Sequence, residues 1–139
     1  MSDPFYLQRF VDAQNPVYGQ VLRELQQGRK TGHWIWFIFP QISGLGQSQI
    51  SKIFAIASVA EAEAYILHSI LGPRLRECTQ IVNGHAAHSI EHMLGDIDAM
   101  KFCSSMTLFA HATTQNSEFI EAVRRYFNAE FDPLTLAKL

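Results

Sequence analysis

At 139 residues, with 47% hydrophobic and 17% charged residues, the chain suits one globular domain over 1–139 and excludes a disordered segment. The net charge is −2, and the 11 Lys and Arg residues are spread without a stripe or run. That distribution argues against nucleic-acid binding, which needs clustered cations to displace counterions, and against a basic helix lying on a membrane surface.

The chain begins with signals for helices. Asp3-Pro4 predicts a helix start, with Asp as N-cap and Pro at the first helical position, and Tyr6, Leu7, Phe10 and Val11 follow at helical spacing. Asn15-Pro16 predicts a second start. Val17, Tyr18, Val21, Leu22 and Leu25 form its apolar stripe, and Gly28 its left-handed end. The run Trp34-Ile35-Trp36-Phe37-Ile38-Phe39 then reads equally as a buried strand or the buried part of a helix, because six consecutive apolar residues carry no period. Pro40 ends it, and residues 41–47, with Gly44 and Gly46, read as a loop.

Ser48 is a cap for a helix bearing Ile50, Ile53, Phe54 and Ala57. Ser58-Val59-Ala60-Glu61 is a capping box for a helix that should run to about Ile70. Gly72-Pro73 starts the next, with Leu75, Cys78 and Val82 inward and Asn83-Gly84 as its end. Ser89 caps a short turn closed by Gly95, and Asp96 or Asp98 caps a longer helix with Phe102, Cys103, Met106, Phe109 and Ala110 inward. Ser117-Glu118 opens a helix burying Phe119, Ile120, Val123, Tyr126 and Phe127, and Asp132-Pro133 starts a last short one. The expected fold is an all-α single compact domain of about seven or eight helical segments.

The two cysteines, Cys78 and Cys103, form no Cys-x-x-Cys pair, and both fall on apolar helix positions, where a free thiol acts as a small hydrophobe. The first residues show no leader pattern, and no apolar segment reaches the roughly 18 residues of a membrane span. A cytoplasmic location, no membrane partner and no cofactor are expected; the oligomeric state is left open.

Several residues could carry chemistry. His85, His88 and His92 would share a face on one continuous helix and could then bind a metal. Asn83-Gly84 and the Ser89 cap break that helix, so no metal site is assigned. Lys101, Ser104 and Ser105 are three and four residues apart, close enough on a helix for an ammonium and two hydroxyls to meet an anion or for the Lys to act as a base. Arg74 and Arg76 follow a helix start, where they suit a phosphate or carboxylate, or else pair with Glu61 or Glu63. His33 and Gln41 place polar groups at the two ends of the aromatic run, and Trp34 and Trp36 add flat faces and N–H donors.

Asp3-Pro4-Phe5, Leu7-Gln8-Arg9-Phe10, His33-Trp34-x-Trp36-Phe37-Ile38-Phe39-Pro40-Gln41, Gly44-Leu45-Gly46, Leu71-Gly72-Pro73-Arg74-Leu75 and Lys101-x-x-Ser104-Ser105-Met106-Thr107-Leu108-Phe109 together resemble the bacterial domain-of-unknown-function family 1810, whose members are sometimes mislabelled calpastatin. The resemblance spans nearly the whole chain. It implies a helical fold and brings no activity, so no catalytic residue is carried over.

Two functions are expected from the residues. The first is a pocket for a small anionic or nucleotide-like ligand, with His33, Trp34, Trp36, Gln41, Arg74, Lys101 and Ser105 as binding candidates and His33, Lys101 and Ser104 as candidates for catalysis. Whether such a site is enzymatic is left open. The second is a non-enzymatic interaction module that uses an exposed aromatic groove.

Overall fold

The computed structural model describes residues 2–85 and 87–139. Among them are α1 (Gln8–Gln14), α2 (Tyr18–Gln27), α3 (Ile35–Ile38), α4 (Gln49–Ile53), α5 (Val59–Leu67), α6 (Leu71–Asn83), α7 (Ile90–Leu94), α8 (Asp96–Ala112), α9 (Ser117–Tyr126) and α10 (Pro133–Leu136). The all-helical expectation holds, but there are ten helices among the described residues rather than seven or eight. One of them, α3, is a single turn of four residues inside the aromatic run, too short for a periodic pattern to resolve. Among the described residues no helix is long and apolar enough to cross a membrane.

The aromatic run is helical. It makes the turn α3 and then leaves in extended form, with Ile42 bridging Ile56 in parallel. The Ile56 N–H donates to the Gln41 carbonyl at 2.8 Å, and the Ser43 N–H donates to the Ile56 carbonyl at 2.8 Å. This exchange fixes residues 41–43 against the chain that follows α4.

Most caps sit where local chemistry places them. Ser48, Ser58, Ser89 and Asp132 each accept the N–H three residues on, satisfying an orphan donor of the first turn. Gly28 ends α2 at φ +71°. Several expected boundaries are corrected: α2 begins at Tyr18 rather than at Asn15-Pro16, and α4 stops at Ile53, short of Phe54 and Ala57. Asp3 does accept from the N–H groups of Leu7 and Gln8, but Tyr6 at φ +51° breaks the chain between them, so α1 begins at Gln8. Helix α5 stops at Leu67, because His68 turns its Nδ1 to accept from the N–H groups of Ile70 and Leu71. That starts α6 at Leu71, ahead of Pro73. Gly95, not Asp96 or Asp98, occupies the cap of α8, and both aspartates lie in its first turn, where they favour the helix dipole.

Helix α8 is the axis of the domain. Its residues Ser104 to Ala110 are all buried, so the middle of the helix faces protein on every side. Helices α5, α7, α9 and α10 pack around it. Helix α9 instead shows one stripe: Phe119, Ala122 and Val123 are buried, while Ile120, expected inside, is 39% exposed. Edge-to-face aromatic pairs join the layers. Phe39 meets Phe102 at 4.8 Å, and Phe10 meets Tyr65 at 5.1 Å. Arg9 closes the N-terminal side. Its guanidinium donates to the carbonyls of Phe5, Ile53 and Ala55 and pairs with the buried Glu61 at 2.9 Å.

The segment between α2 and α3 is ordered by one carboxylate. Glu24, 6% exposed, accepts from the N–H groups of Thr31 and Gly32 at 2.7 and 2.8 Å, from Trp34 Nε1 at 3.0 Å and from Gln20 Nε2 at 2.7 Å. Burial acts to raise its pKa, but the four donors outweigh it and hold the carboxyl at about 2, against an ordinary 4.5. Beside it, the Lys30 ammonium is buried on Asp98 at 2.7 Å and lies 5.0 Å over the Trp34 ring.

Because the folded pKa of Glu24 is depressed, its contribution is complete above the unfolded value of 4.5 and is lost as pH falls toward about 2. Glu24→Gln should lower the stability at pH 7 by about 1.5–3 kcal/mol and flatten this acid limb, as read by urea unfolding from pH 7 to pH 2. Gly72 gives a second test. A Cβ there would lie 2.0 Å from the Ile66 carbonyl oxygen, a backbone atom that cannot swing aside. Gly72→Ala should cost at least about 1–3 kcal/mol in the same assay.

Candidate functional site

The two tryptophans of the aromatic run face different surroundings, because residues i and i+2 of a helical turn point apart. Trp34 is 2% exposed and spends its N–H on Glu24. Trp36 is half-buried. Its Nε1 is shielded from solvent but finds no acceptor, and the Lys101 ammonium lies 4.9 Å from its ring centre.

Trp36 forms one wall of a small cleft of about 110 Å³. The opposite walls are the 41–46 loop, with Gln41 and Ser43, and the α4 segment, with Ser51, Lys52 and Phe54. Gly46 lets loop and helix meet: a Cβ on it would lie 2.4 Å from Ser51 Cβ. Lys138 approaches from the C-terminus, and a Cβ on Gly44 would lie 2.8 Å from its Nζ. Among the described residues that line this cleft there is no carboxylate.

A larger cleft of about 580 Å³ adjoins it, sharing Gln41 and Gly46. It runs between the first half of α8 and the segment from Tyr126 to Leu134. Asn128 and Ala129 sit at φ +55° and +61°, turning the chain after α9 back toward α8. Ile97, Met100 and Leu134 line the cleft and are 71%, 72% and 66% exposed. Its carboxylates are Glu91, Asp96, Glu130 and Asp132, against the ammonium of Lys101. Asp132 is already committed. It accepts from Ser104 Oγ at 2.9 Å and from Thr135, while its N–H donates to Thr107 Oγ1 at 2.9 Å. Burial first, and then the Asp132 charge, push the Cys103 thiol in this cleft up to about 11, which favours the protonated thiol.

The structure therefore gathers Trp36, Gln41, Lys101 and Ser104 around two adjoining clefts. It does not bring His33, Trp34, Arg74 or Ser105 to either. His33 is exposed. Arg74 stacks 4.6 Å over Tyr18 and donates to Gln14 at 3.2 Å, and Arg76 pairs with Glu118. The expected partners Glu61 and Glu63 are not theirs, because α9 rather than α5 offers a carboxylate to Arg76. Ser105 is fully buried, and its hydroxyl has no partner among the described residues. Ser104 donates to Asp132 and to the Met100 carbonyl, so its proton is used in holding α10. The rings of His88 and His92 stack 5.1 Å apart at 17°, with His85 at 6.1 Å from His88. Among the described residues no three His, Cys, Asp or Glu side chains are placed to hold a metal ion.

Sequence reasoning passed over Lys52, Ser43, Ile97, Met100 and Leu134. Ile97 and Met100 did carry a signal: they form an i, i+3 apolar pair off the buried face of α8. Lys52 and Ser43 carried none, since only the loop's docking on α4 brings them together.

The family model described as "Protein of unknown function (DUF1810)" matches residues 4–139. Among solved structures, the chain is similar to that of the conserved hypothetical protein Rv1873 from Mycobacterium tuberculosis, with 51% identity and a TM-score of 0.97, over 99% of this chain and 98% of that one. No curated protein matches.

The two adjacent serines should separate in a stability assay. Ser104→Ala removes the donor to Asp132 and should cost about 1 kcal/mol. Ser105→Ala removes a buried hydroxyl without a partner and should leave the urea midpoint unchanged or raise it.

Proposed function

Because the chain belongs to the DUF1810 family, whose description assigns no activity, we propose a function from its own residues: it is a binding domain whose small cleft holds the anionic group of a ligand. The observation that carries this reading is the indole N–H of Trp36, shielded and without an acceptor, in the wall of a cleft that presents no carboxylate among its described residues. A buried donor left unpaired costs about 1–3 kcal/mol, and a small turn of the half-buried indole toward an incoming oxygen would recover that. The other polar groups suit the same guest. Lys52 and Gln41 line the cleft, Lys138 reaches Gly44, and Lys101 sits against the Trp36 ring. At about 110 Å³ the space is several times the roughly 30 Å³ of one water and well under a drug-sized site. It therefore suits a carboxylate or a single phosphoryl group rather than a whole nucleotide. Lys52, Gln41 and Trp36 are the binding residues of this reading, with Lys101 against the Trp36 ring, and no bond-breaking step is assigned to it.

Titration of the protein with phosphate and with acetate, against chloride at matched ionic strength, tests the proposal. Saturation at 100 times the dissociation constant should add about 2.7 kcal/mol of stability. Trp36→Phe keeps the ring and deletes the donor. It should leave the folded protein as stable as before or more so, and weaken anion binding about tenfold. No anion-specific shift, or an unchanged affinity in Trp36→Phe, overturns the proposal.

A further inference from the structure

The two clefts share Gln41 and Gly46 but are opposite in charge. The small one presents Lys52 and is walled by Trp36, whose shielded N–H has no acceptor among the described residues. The large one presents Glu91, Asp96 and Glu130, all exposed and in no ion pair among the described residues. Lys101 lies between them, lining the large cleft while its ammonium rests on the face of Trp36. A phosphate-rich nucleotide would set further negative charge against the three carboxylates. An inorganic anion would leave the large cleft unused. The complementary guest is anionic at one end and cationic beyond it.

The walls of the large cleft add a second requirement. Ile97, Met100 and Leu134 expose 71%, 72% and 66% of their surface beside the half-buried Leu45, Phe127 and Phe131. Exposed apolar side chains gathered along one groove and rimmed by charge mark a binding surface rather than ordinary scatter. At about 580 Å³ the groove exceeds what a free amino acid would fill. A polypeptide terminus meets all these conditions at once, with a carboxylate on its last residue and apolar and basic side chains before it.

We infer that the joined clefts take the C-terminal segment of a partner polypeptide, its terminal carboxylate in the small cleft beside Trp36 and its preceding apolar and basic residues along α8 and the segment before α10. This rests on the anion-binding reading of the small cleft and extends it to a ligand class. Apolar contacts with Ile97, Met100 and Leu134 supply the affinity. The three carboxylates select lysine or arginine and make association salt-dependent. The Trp36 N–H reads the free terminus.

Fluorescence anisotropy with three labelled five-residue peptides tests this: alternating leucine and lysine with a free C-terminus, the same peptide amidated, and alternating leucine and glutamate with a free C-terminus. The first should bind about tenfold tighter than either of the others, and should weaken as salt rises. Met100→Gln and Ile97→Gln, at exposed positions that leave the core untouched, should each weaken it severalfold. Trp36→Phe should erase the difference between acid and amide while leaving the amide's own affinity unchanged. Equal binding of acid and amide, equal binding of the lysine and glutamate peptides, or no binding at 1 mM peptide overturns the inference. So does self-association in sedimentation that Met100→Gln abolishes, which would make a second copy of this chain the occupant. If phosphate and acetate still bind in a Trp36-dependent way under any of these outcomes, the ligand class falls and the anion site stands. If they do not, both fall.

Discussion

The carboxylate of Glu24 gathers the N–H groups of Thr31 and Gly32, the indole of Trp34 and the amide of Gln20. Through these bonds it determines how the chain enters the aromatic run. With Trp34 anchored downward, the single turn α3 carries Trp36 to the opposite side, and Pro40 and the bridge between Ile42 and Ile56 lead the chain out along the domain surface. Both clefts take a wall from that exit segment. A charge placed inside the fold thus does what apolar packing alone cannot: it specifies one direction for a run that is apolar on all sides. The cation beside it, Lys30, is held by Asp98 at the start of α8, which ties the same turn to the central helix.

The polar residues inside α8 have a comparable role at the other end of the site. Thr107 accepts the Asp132 N–H and donates to the Cys103 carbonyl, and Ser104 donates to the Asp132 carboxylate. These bonds dock the start of α10 on the helix and so set the far wall of the large cleft. Ser105, one residue on, lies fully buried with a hydroxyl that bonds to nothing among the described residues. Adjacent serines on one helix therefore differ wholly in role, because a rotation of 100° per residue points one at Asp132 and the other into the apolar core.

Charge is sorted between two cavities that touch. Lys52, and no carboxylate among the described residues, lines the smaller, and four carboxylates, Lys101 and exposed aliphatic side chains line the larger. In the larger, burial and the Asp132 charge favour the protonated Cys103 thiol, and the Ser104 hydroxyl donates to Asp132. The two clefts thus offer hydrogen-bond donors, charges of both signs and apolar surface.

What the sequence by itself determined is local. Ser48, Ser58, Ser89 and Asp132 cap the helices they were expected to cap, and Gly28 closes α2 in the left-handed form, because a cap is a contact within three or four residues and needs nothing from the rest of the chain. The helical class and most of the buried faces were legible for the same reason, since periodicity is a property of neighbours. The helical state of the run from Trp34 to Phe39 was not, because a segment buried on all sides has no period to read. Of the site, Trp36, Gln41, Lys101 and Ser104 could be picked out as unusual, while nothing local marked Lys52 or Glu130. Only the tertiary structure decided that Trp34 is an anchor and Trp36 a wall, that Arg76 meets Glu118 across α9, and that two oppositely charged clefts share an edge. Each of these depends on segments tens of residues apart meeting at one place. That meeting is set by how the helices pack around α8, not by any stretch of sequence alone.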